Sequence, residues 1–283
     1  MAARMESLDA IIGYSLPQVR VLSKHKYDSI WAQREHSSLG MEMLQVLSGH
    51  LDLQYRGQTF PADPGDVVLV PSLVPHRDVF DADTGLEVLY IRFFWSAEAI
   101  FSRLVDNRLL RRMARQRKAE LANMFECLLQ DCGLTGNIEG LLQRSRIHTI
   151  LLFMLREACG AQIEKTSLSL GDQRRQALLE SVRQYIRTNY ASSICIQDLA
   201  SNLGVSASYL SHAFRRDNNV SIAGFIGAVR IEHACQLLLE GKQNISQIAY
   251  AVGYNAPNYF ARAFRKHTGC SPSEYIVACG AAR

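Results

Sequence analysis

The chain has seven cysteines, at 127, 132, 159, 195, 235, 270 and 279, but no C-x-x-C pair. That absence argues against a zinc ribbon or a disulfide-stapled scaffold and for reduced thiols in a cytoplasm. No apolar run approaches the ~18 residues that a membrane-spanning helix needs, and no cationic-then-apolar signal layout opens the chain. Only seven prolines interrupt 283 residues, 48% of them hydrophobic, which is enough apolar mass for two globular domains with their own cores. A soluble cytoplasmic protein without a membrane partner is therefore expected. Net charge is a modest +4 but is unevenly spread. Residues 174–283 carry twelve Lys/Arg against six Asp/Glu, and 1–173 carry nineteen against twenty-one. Basic charge concentrated in one region points to nucleic acid.

That basic region contains the same pattern twice. Ile196–Ala200, Leu203-Gly204-Val205-Ser206, Tyr209-Leu210 and Ala213–Arg216 form the first copy. Ile245–Ala249, Val252-Gly253-Tyr254-Asn255, Tyr259-Phe260 and Ala263–Lys266 repeat it about fifty residues later. Gly204 and Gly253 each follow an alanine by four residues, where a tight turn between crossing helices needs positive φ and little bulk. In the first copy Leu210, Ala213 and Phe214 recur at i, i+3, i+4 and face a core, which leaves Ser208, Ser211, His212 and Arg215 outside. In the second, Phe260, Ala263 and Phe264 turn inward and Asn258, Ala261, Arg262 and Arg265 outward. Asn255 is the expected N-cap, and Pro257 falls in the first turn, where its missing N–H costs nothing. Asn and Arg are the side chains that contact adenine and guanine edges bidentately in the major groove. Between the copies, Ile222, Phe225, Ile226, Val229, Ala234, Leu237 and Leu238 mark one apolar stripe within 221–242. A helix of about nineteen residues spans roughly 30 Å, close to the ~34 Å between successive major grooves. One chain is thus expected to read two grooves of double-stranded DNA.

From about 174 to 283 the sequence resembles the AraC/XylS transcriptional regulators. The resemblance is carried by A-x-x-L-G-V-S at Ala200–Ser206, by Arg230, Ala234 and Leu237-Leu238, by I-x-x-I-A-x-x-V-G-Y at Ile245–Tyr254, by Y-F-x-R-x-F-R-K at Tyr259–Lys266 and by T-G-C-S-P-S-E-Y at Thr268–Tyr275. It implies a module of two helix-turn-helix units whose base-reading positions fall on Ser208, Ser211, His212, Asn258 and Arg262, the face that periodicity already exposes. Four positions depart from the family pattern: Asn219 replaces a glycine, Tyr254 a phenylalanine, Asn258 a small hydroxyl residue and Ile276 an arginine. Asn also enters the left-handed region, so the fold tolerates the first change. Serines 208 and 211 make the first recognition helix a weaker discriminator than the second.

The N-terminal half reads as short strands between turns. Met41–Leu47, Leu51–Tyr55, Val67–Val70 and Leu86–Phe94 alternate with Ser48-Gly49-His50, Arg56-Gly57-Gln58, Asp63-Pro64-Gly65-Asp66 and the prolines at 71 and 75, the pattern of a small β-barrel or sandwich. The run V-L-S-G-H-L-D-L followed by P-G-D-V-V-L-V-P-S-L-V-P-H resembles the cupin barrel that precedes the DNA-binding module in sugar-responsive members of the family. Cupin enzymes hold a metal with three histidines and a glutamate. Here His36, Glu42 and His76 match that pattern, while Ser38 stands at the second histidine. This resemblance implies a ligand pocket lined by His36, Glu42 and His76, with no metal and no cofactor, for a small effector such as a sugar or another polar metabolite.

Residues 97–160 turn helical. Ile138, Leu141, Leu142, Ser145, His148, Leu152 and Leu155 share one face, and Ile147–Leu155 is apolar almost all round, as for a helix buried against both the barrel and a partner. The family usually dimerises through such a helix, so a homodimer is implied. The expected fold is α+β in two domains. A cupin-like β-barrel with helices spans 1–163, a linker 164–174, and an all-α domain 175–283, with helix-turn-helix units at about 196–217 and 245–267 joined by a long helix. The expected function is a bacterial one-component transcription regulator, not an enzyme. Its partners are an operator, an effector and RNA polymerase, with activation or repression left open. Two alternatives stand beside it: a constitutive DNA binder with a purely structural barrel, and a metal-dependent cupin enzyme fused to a DNA-binding domain.

Overall fold

The computed structural model describes residues 16–27, 33–95, 97–159, 170–218 and 220–280. They divide into two compact units. One comprises Met1–Asp28, Gly40–Pro71 and His76–Gln173, the other Ser29–Leu39, Ser72–Pro75 and Arg174–Arg283. The first unit is built on strands β1 (Gln18–Tyr27), β2 (Met41–Ser48), β3 (Leu51–Tyr55), β4 (Gln58–Ala62), β5 (Val67–Val70), β6 (His76–Val79) and β7 (Leu86–Phe94). They form two antiparallel sheets in the orders β1-β7-β2-β5 and β4-β3-β6. In β2 every residue from Met41 to Val46 is buried, so both faces are covered and no polar alternation shows in the sequence. Parity still decides direction. Met41 and Met43, with Val67, Leu69, Leu89, Ile91 and Phe93, point into an apolar cluster shared with the helices. Glu42 and Tyr90 point to the other face.

Three strands escape sequence reading, each for a tertiary reason. β1 is half-buried or exposed along its length until the buried Tyr27, and its pairing along β7 from Gln18–Phe94 to Tyr27–Leu86 holds it. β4 contains Pro61 but lies at the edge of its sheet, where a missing N–H breaks no ladder. β6 is only four residues long and is fixed by pairing with β3.

Helices α1 (Glu98–Leu104), α2 (Asn107–Gln116), α3 (Lys118–Gln130) and α4 (Asn137–Cys159) complete this unit. The Asp106 carboxylate caps α2 by accepting the Leu109 N–H at 2.8 Å. The buried Asn107 amide accepts from Leu69 N at 2.7 Å and donates to Leu69 O at 2.8 Å, so it completes the open edge of β5 and fixes α2 against it. On α4, Ile147, Ile150, Leu151 and Met154 are buried, whereas Ile138 is 78% exposed and Leu141, Leu142 and Leu152 are exposed with it.

The second unit contains α5 (Leu170–Asn189), α6 (Ile196–Asn202), α7 (Ala207–Asn218), α8 (Ile222–Glu240), α9 (Ile245–Ala251), α10 (Pro257–Thr268) and α11 (Pro272–Gly280). Of the linker expected at 164–174, residues 170–174 form the first turns of α5, and 164–169 lie outside the described residues. Gly171 and Asp172 read as linker signals, yet both positions fall in the first turn of α5. Asn219 also lies outside the described residues. By length and composition α8 is apolar enough to cross a membrane, contrary to the expectation that no run is. Its apolar stripe is used internally: Ile222, Phe225, Val229, Ala234 and Leu238 are buried in the helical core. Ser221 caps its start by accepting Gly224 N–H, and Gly241 ends it in the left-handed region.

Candidate nucleic-acid interface and barrel site

The two helix-turn-helix units have matching backbones. In the first turn Val205 N–H donates to Ala200 O at 3.1 Å, and in the second Tyr254 N–H donates to Ala249 O at 2.9 Å. Gly204 and Gly253 both have positive φ, 68° and 93°. Leu210, Ala213 and Phe214 are buried on α7, and Phe260 and Phe264 on α10, with Ala263 half-buried. The opposite faces are open: Ser208, Ser211, His212 and Arg215 on α7, and Asn258, Arg262 and Arg265 on α10, are all exposed. Ala261, placed outside by periodicity, is half-buried. Asn255 is not the N-cap. Ala256 occupies that position without a side-chain hydrogen bond, and Pro257 takes the first helical place. The proline's fixed φ pre-forms the turn that the Asn side chain was expected to close.

The two arginines of the second face differ in setting. The Arg262 guanidinium lies 4.8 Å from the centroid of the exposed Tyr259 ring, a stacking that limits its rotamers without removing its donors. Arg265 instead donates to Glu274 at 3.3 Å. The Ser271 backbone N–H bonds the same Glu274 carboxylate and, as the main cause, holds its pKa below the ordinary range. Glu274 thus offsets the charge of Arg265, while the Arg262 guanidinium lies over the Tyr259 ring.

Framework groups away from the exposed faces hold the two helix-turn-helix units together. The Arg230 guanidinium donates to Tyr190 O at 2.8 Å and Ser192 O at 3.1 Å, and it lies 5.5 Å from the Tyr254 ring. One side chain thereby ties the end of α5, helix α8 and the second turn. Tyr190 stacks on His233 with ring centroids 3.9 Å apart. Tyr254, the departure from phenylalanine, buries its hydroxyl without a hydrogen-bond partner, and that burial raises its pKa. Asp217, at the end of α7, accepts from Arg175 and Arg216 at 3.2 Å each and from Gln176 at 3.3 Å.

In the strand unit, Glu42 and His76 come together. His76 Nε2 is 3.0 Å from Glu42 Oε2 with both side chains buried, and the Tyr90 hydroxyl donates to the other oxygen of Glu42. Glu42 and Tyr90 stand on β2 and β7 of one sheet and His76 on β6 of the other, so the carboxylate links the two sheets. Asp78, two residues beyond His76 and hence on the same face, is also buried. Burial above all, then the charge of Asp78, with smaller effects from Tyr90 and Glu42, raises the pKa of the enclosed Tyr27 phenol well above its usual value. Tyr90 and Asp78 were missed in the sequence, although i, i+2 spacing from Val88 and His76 would have found both. His36 belongs to the segment Ser29–Leu39 of the second unit, where its Nδ1 lies 2.9 Å from Arg34 O.

Comparison with known proteins agrees with both halves. Residues 199–277 match a helix-turn-helix domain family and residues 25–92 a cupin domain family. The chain is 38% identical over 125 residues to the helix-turn-helix transcriptional regulator YijO of Escherichia coli K12, covering 44% of this chain but only 42% of YijO. It is 26% identical over 234 residues to the Msm operon regulatory protein of Streptococcus mutans, covering 81% of each. Among solved structures, ToxT from Vibrio cholerae superposes with a TM-score of 0.59 at 14% identity, covering 93% of this chain and 98% of ToxT. That likeness shows a shared two-domain fold.

Proposed function

We propose that this chain, which carries a helix-turn-helix domain and a cupin domain, is a transcription regulator of the AraC/XylS type that reads an operator with α7 and α10 under the control of a small molecule bound in the barrel. The observation that carries this reading is the pair of exposed, hydrogen-bond-capable faces on α7 and α10, displayed by matched turns in a unit with twelve Lys/Arg against six Asp/Glu. Phosphate contacts from such a unit position it, and Asn258 and Arg262 read bases. Arg262→Ala is expected to weaken operator binding by about 1–3 kcal/mol and to relax preference at one base pair, whereas Arg215→Ala weakens specific and scrambled duplexes alike. Titrations on both duplexes check this. Unchanged discrimination by the Arg262 variant removes that residue from readout.

The effector is assigned to the interior around Glu42 and His76. Among the relatives are regulators of lactose and raffinose operons, and a ToxT structure holds an unsaturated fatty acid. Glu42 and His76 favour a polar ligand, which gains a donor and an acceptor by entering their hydrogen-bond network. A ligand moves the equilibrium only by binding one arrangement better than the other. His76→Ala is expected to abolish the effector's influence on transcription from the target promoter while operator affinity of the unliganded protein stays unchanged. A variant that still responds fully excludes this site.

The regulator acts as a homodimer in a bacterial cytoplasm and hands its signal to RNA polymerase. The exposed residues Ile138, Leu141, Leu142 and Leu152 line one side of α4 at the spacing of a helix–helix seam. The double variant Ile138→Glu with Leu141→Glu is expected to run as a monomer by light scattering where the wild-type chain runs as a dimer. A wild-type monomer at micromolar concentration rejects this assembly.

A further inference from the structure

A second recess in the strand unit shares no lining residue with the Glu42–His76 site. Its volume is about 410 Å³, and it opens between β4, β5 and the start of α2, within the range of small-molecule pockets. β4 and β5 are edge strands of the two different sheets, so the recess lies where the sheets part. Its floor is apolar: Ala62, Val67 and Val68 are buried and Phe60 half-buried. Arg108 and Arg111, one turn apart on α2, form its rim, and both are exposed.

Neither arginine serves the fold. Among the described residues no ion pair engages either one, and Arg108 has only a 3.5 Å contact to Gln58 Oε1. The acidic residue on the lining, Asp66, is occupied locally, its carboxylate accepting the Asp63 N–H at 3.0 Å. The platform is rigid because Leu109, Leu110 and Met113 are buried on the inner side of α2 and Asn107 is bonded to β5. The sequence adds an independent signal. Residues 97–118 carry seven Lys/Arg and two Asp/Glu in a half of the chain that is otherwise acidic. A merely solvated helix face needs no such local excess, and it needs no apolar recess beside it.

We propose that this recess binds a small amphiphilic anion, its carboxylate or phosphate head held by Arg108 and Arg111 and its apolar body laid on Phe60, Ala62, Val67 and Val68. Guanidinium groups suit planar carboxylate and phosphate oxygens through paired, charge-assisted hydrogen bonds, and a bounded apolar floor fits a small molecule better than a DNA backbone. The recess is separate from the Glu42–His76 site.

The test is calorimetric titration of the full-length protein with 4-phenylbutyrate, with phenyl phosphate and with the neutral 4-phenyl-1-butanol. Saturable one-to-one binding of at least one anion is expected, with the alcohol at least about tenfold weaker. The double variant Arg108→Gln with Arg111→Gln is expected to lose at least about tenfold in anion affinity, equivalent to one mid-strength contact, with an unchanged melting temperature because both side chains are exposed. Binding of neither anion, equal binding of the alcohol, or undiminished binding by the double variant overturns the proposal. His76→Ala separates the two sites. If that variant loses the anion and the arginine variant keeps it, the anion belongs in the barrel and the recess is not its site.

Discussion

Replacing Asp217 by alanine is expected to destabilise the helical unit by about 3–5 kcal/mol, the range for breaking a buried ion pair from one side. The Asp217 side chain is only 1% exposed and the Arg175 side chain 15%, so removal of the carboxylate breaks a largely buried ion pair from one side. Gln176 loses its acceptor as well. Arg216, half in solvent, contributes little to the loss. An acidic residue in the last turn of a helix is opposed by the dipole, so the arginines account for its presence there. The consequence reaches function because Asp217 ends α7, the first recognition helix, and Arg175 begins α5. Urea unfolding followed by helical circular dichroism measures the loss. A change below 1 kcal/mol refutes the buried-latch account, and Asp217→Asn, which keeps the shape without the charge, is expected to fall between.

The two turn glycines give the second large effect, and they are not equivalent. Gly204→Ala is expected to cost about 1–2 kcal/mol, since the left-handed backbone alone opposes it and an added Cβ meets no atom within 4 Å. Gly253→Ala carries the same penalty at φ +93° and also places its Cβ 2.6 Å from the carbonyl oxygen of Ala191. Backbone must move at one side or the other, so the expected loss exceeds about 3 kcal/mol, strain and displacement together. That displacement falls on the segment Arg230 holds through Tyr190 O and Ser192 O. Gly253→Ala therefore weakens operator binding even where the protein remains folded. Parallel melting curves and duplex titrations of the two variants compare them directly, and equal losses contradict the close-approach argument.

The helix-turn-helix half was legible because its information is local. Period 3.6, a turn glycine and a proline in the first turn specify each helix-turn-helix within about twenty residues, and duplication confirmed the pattern without any partner element. Where that reading slipped, backbone geometry had replaced a side-chain cap: Ala256, not Asn255, stands at the N-cap of α10, with Pro257 pre-forming the turn. The strand half was legible only in outline. Short turns and alternation gave β2, β3, β5 and β7, but β1 owes its existence to β7 and β6 to β3, pairings between residues far apart in the chain.

The sequence by itself determined which faces of α7 and α10 meet solvent, because a helix one side of which must be buried leaves only the other to water. Tertiary structure alone decided what surrounds those faces and what the strand unit holds. Asp217 among Arg175, Gln176 and Arg216, Arg230 on two carbonyls, Glu42 between Tyr90 and His76, and the recess beside Arg108 and Arg111 each unite residues from separate elements. Burial makes an unpaired polar group costly, so such partners are selected by where the chain brings them, a fact that spacing along one strand or helix does not record.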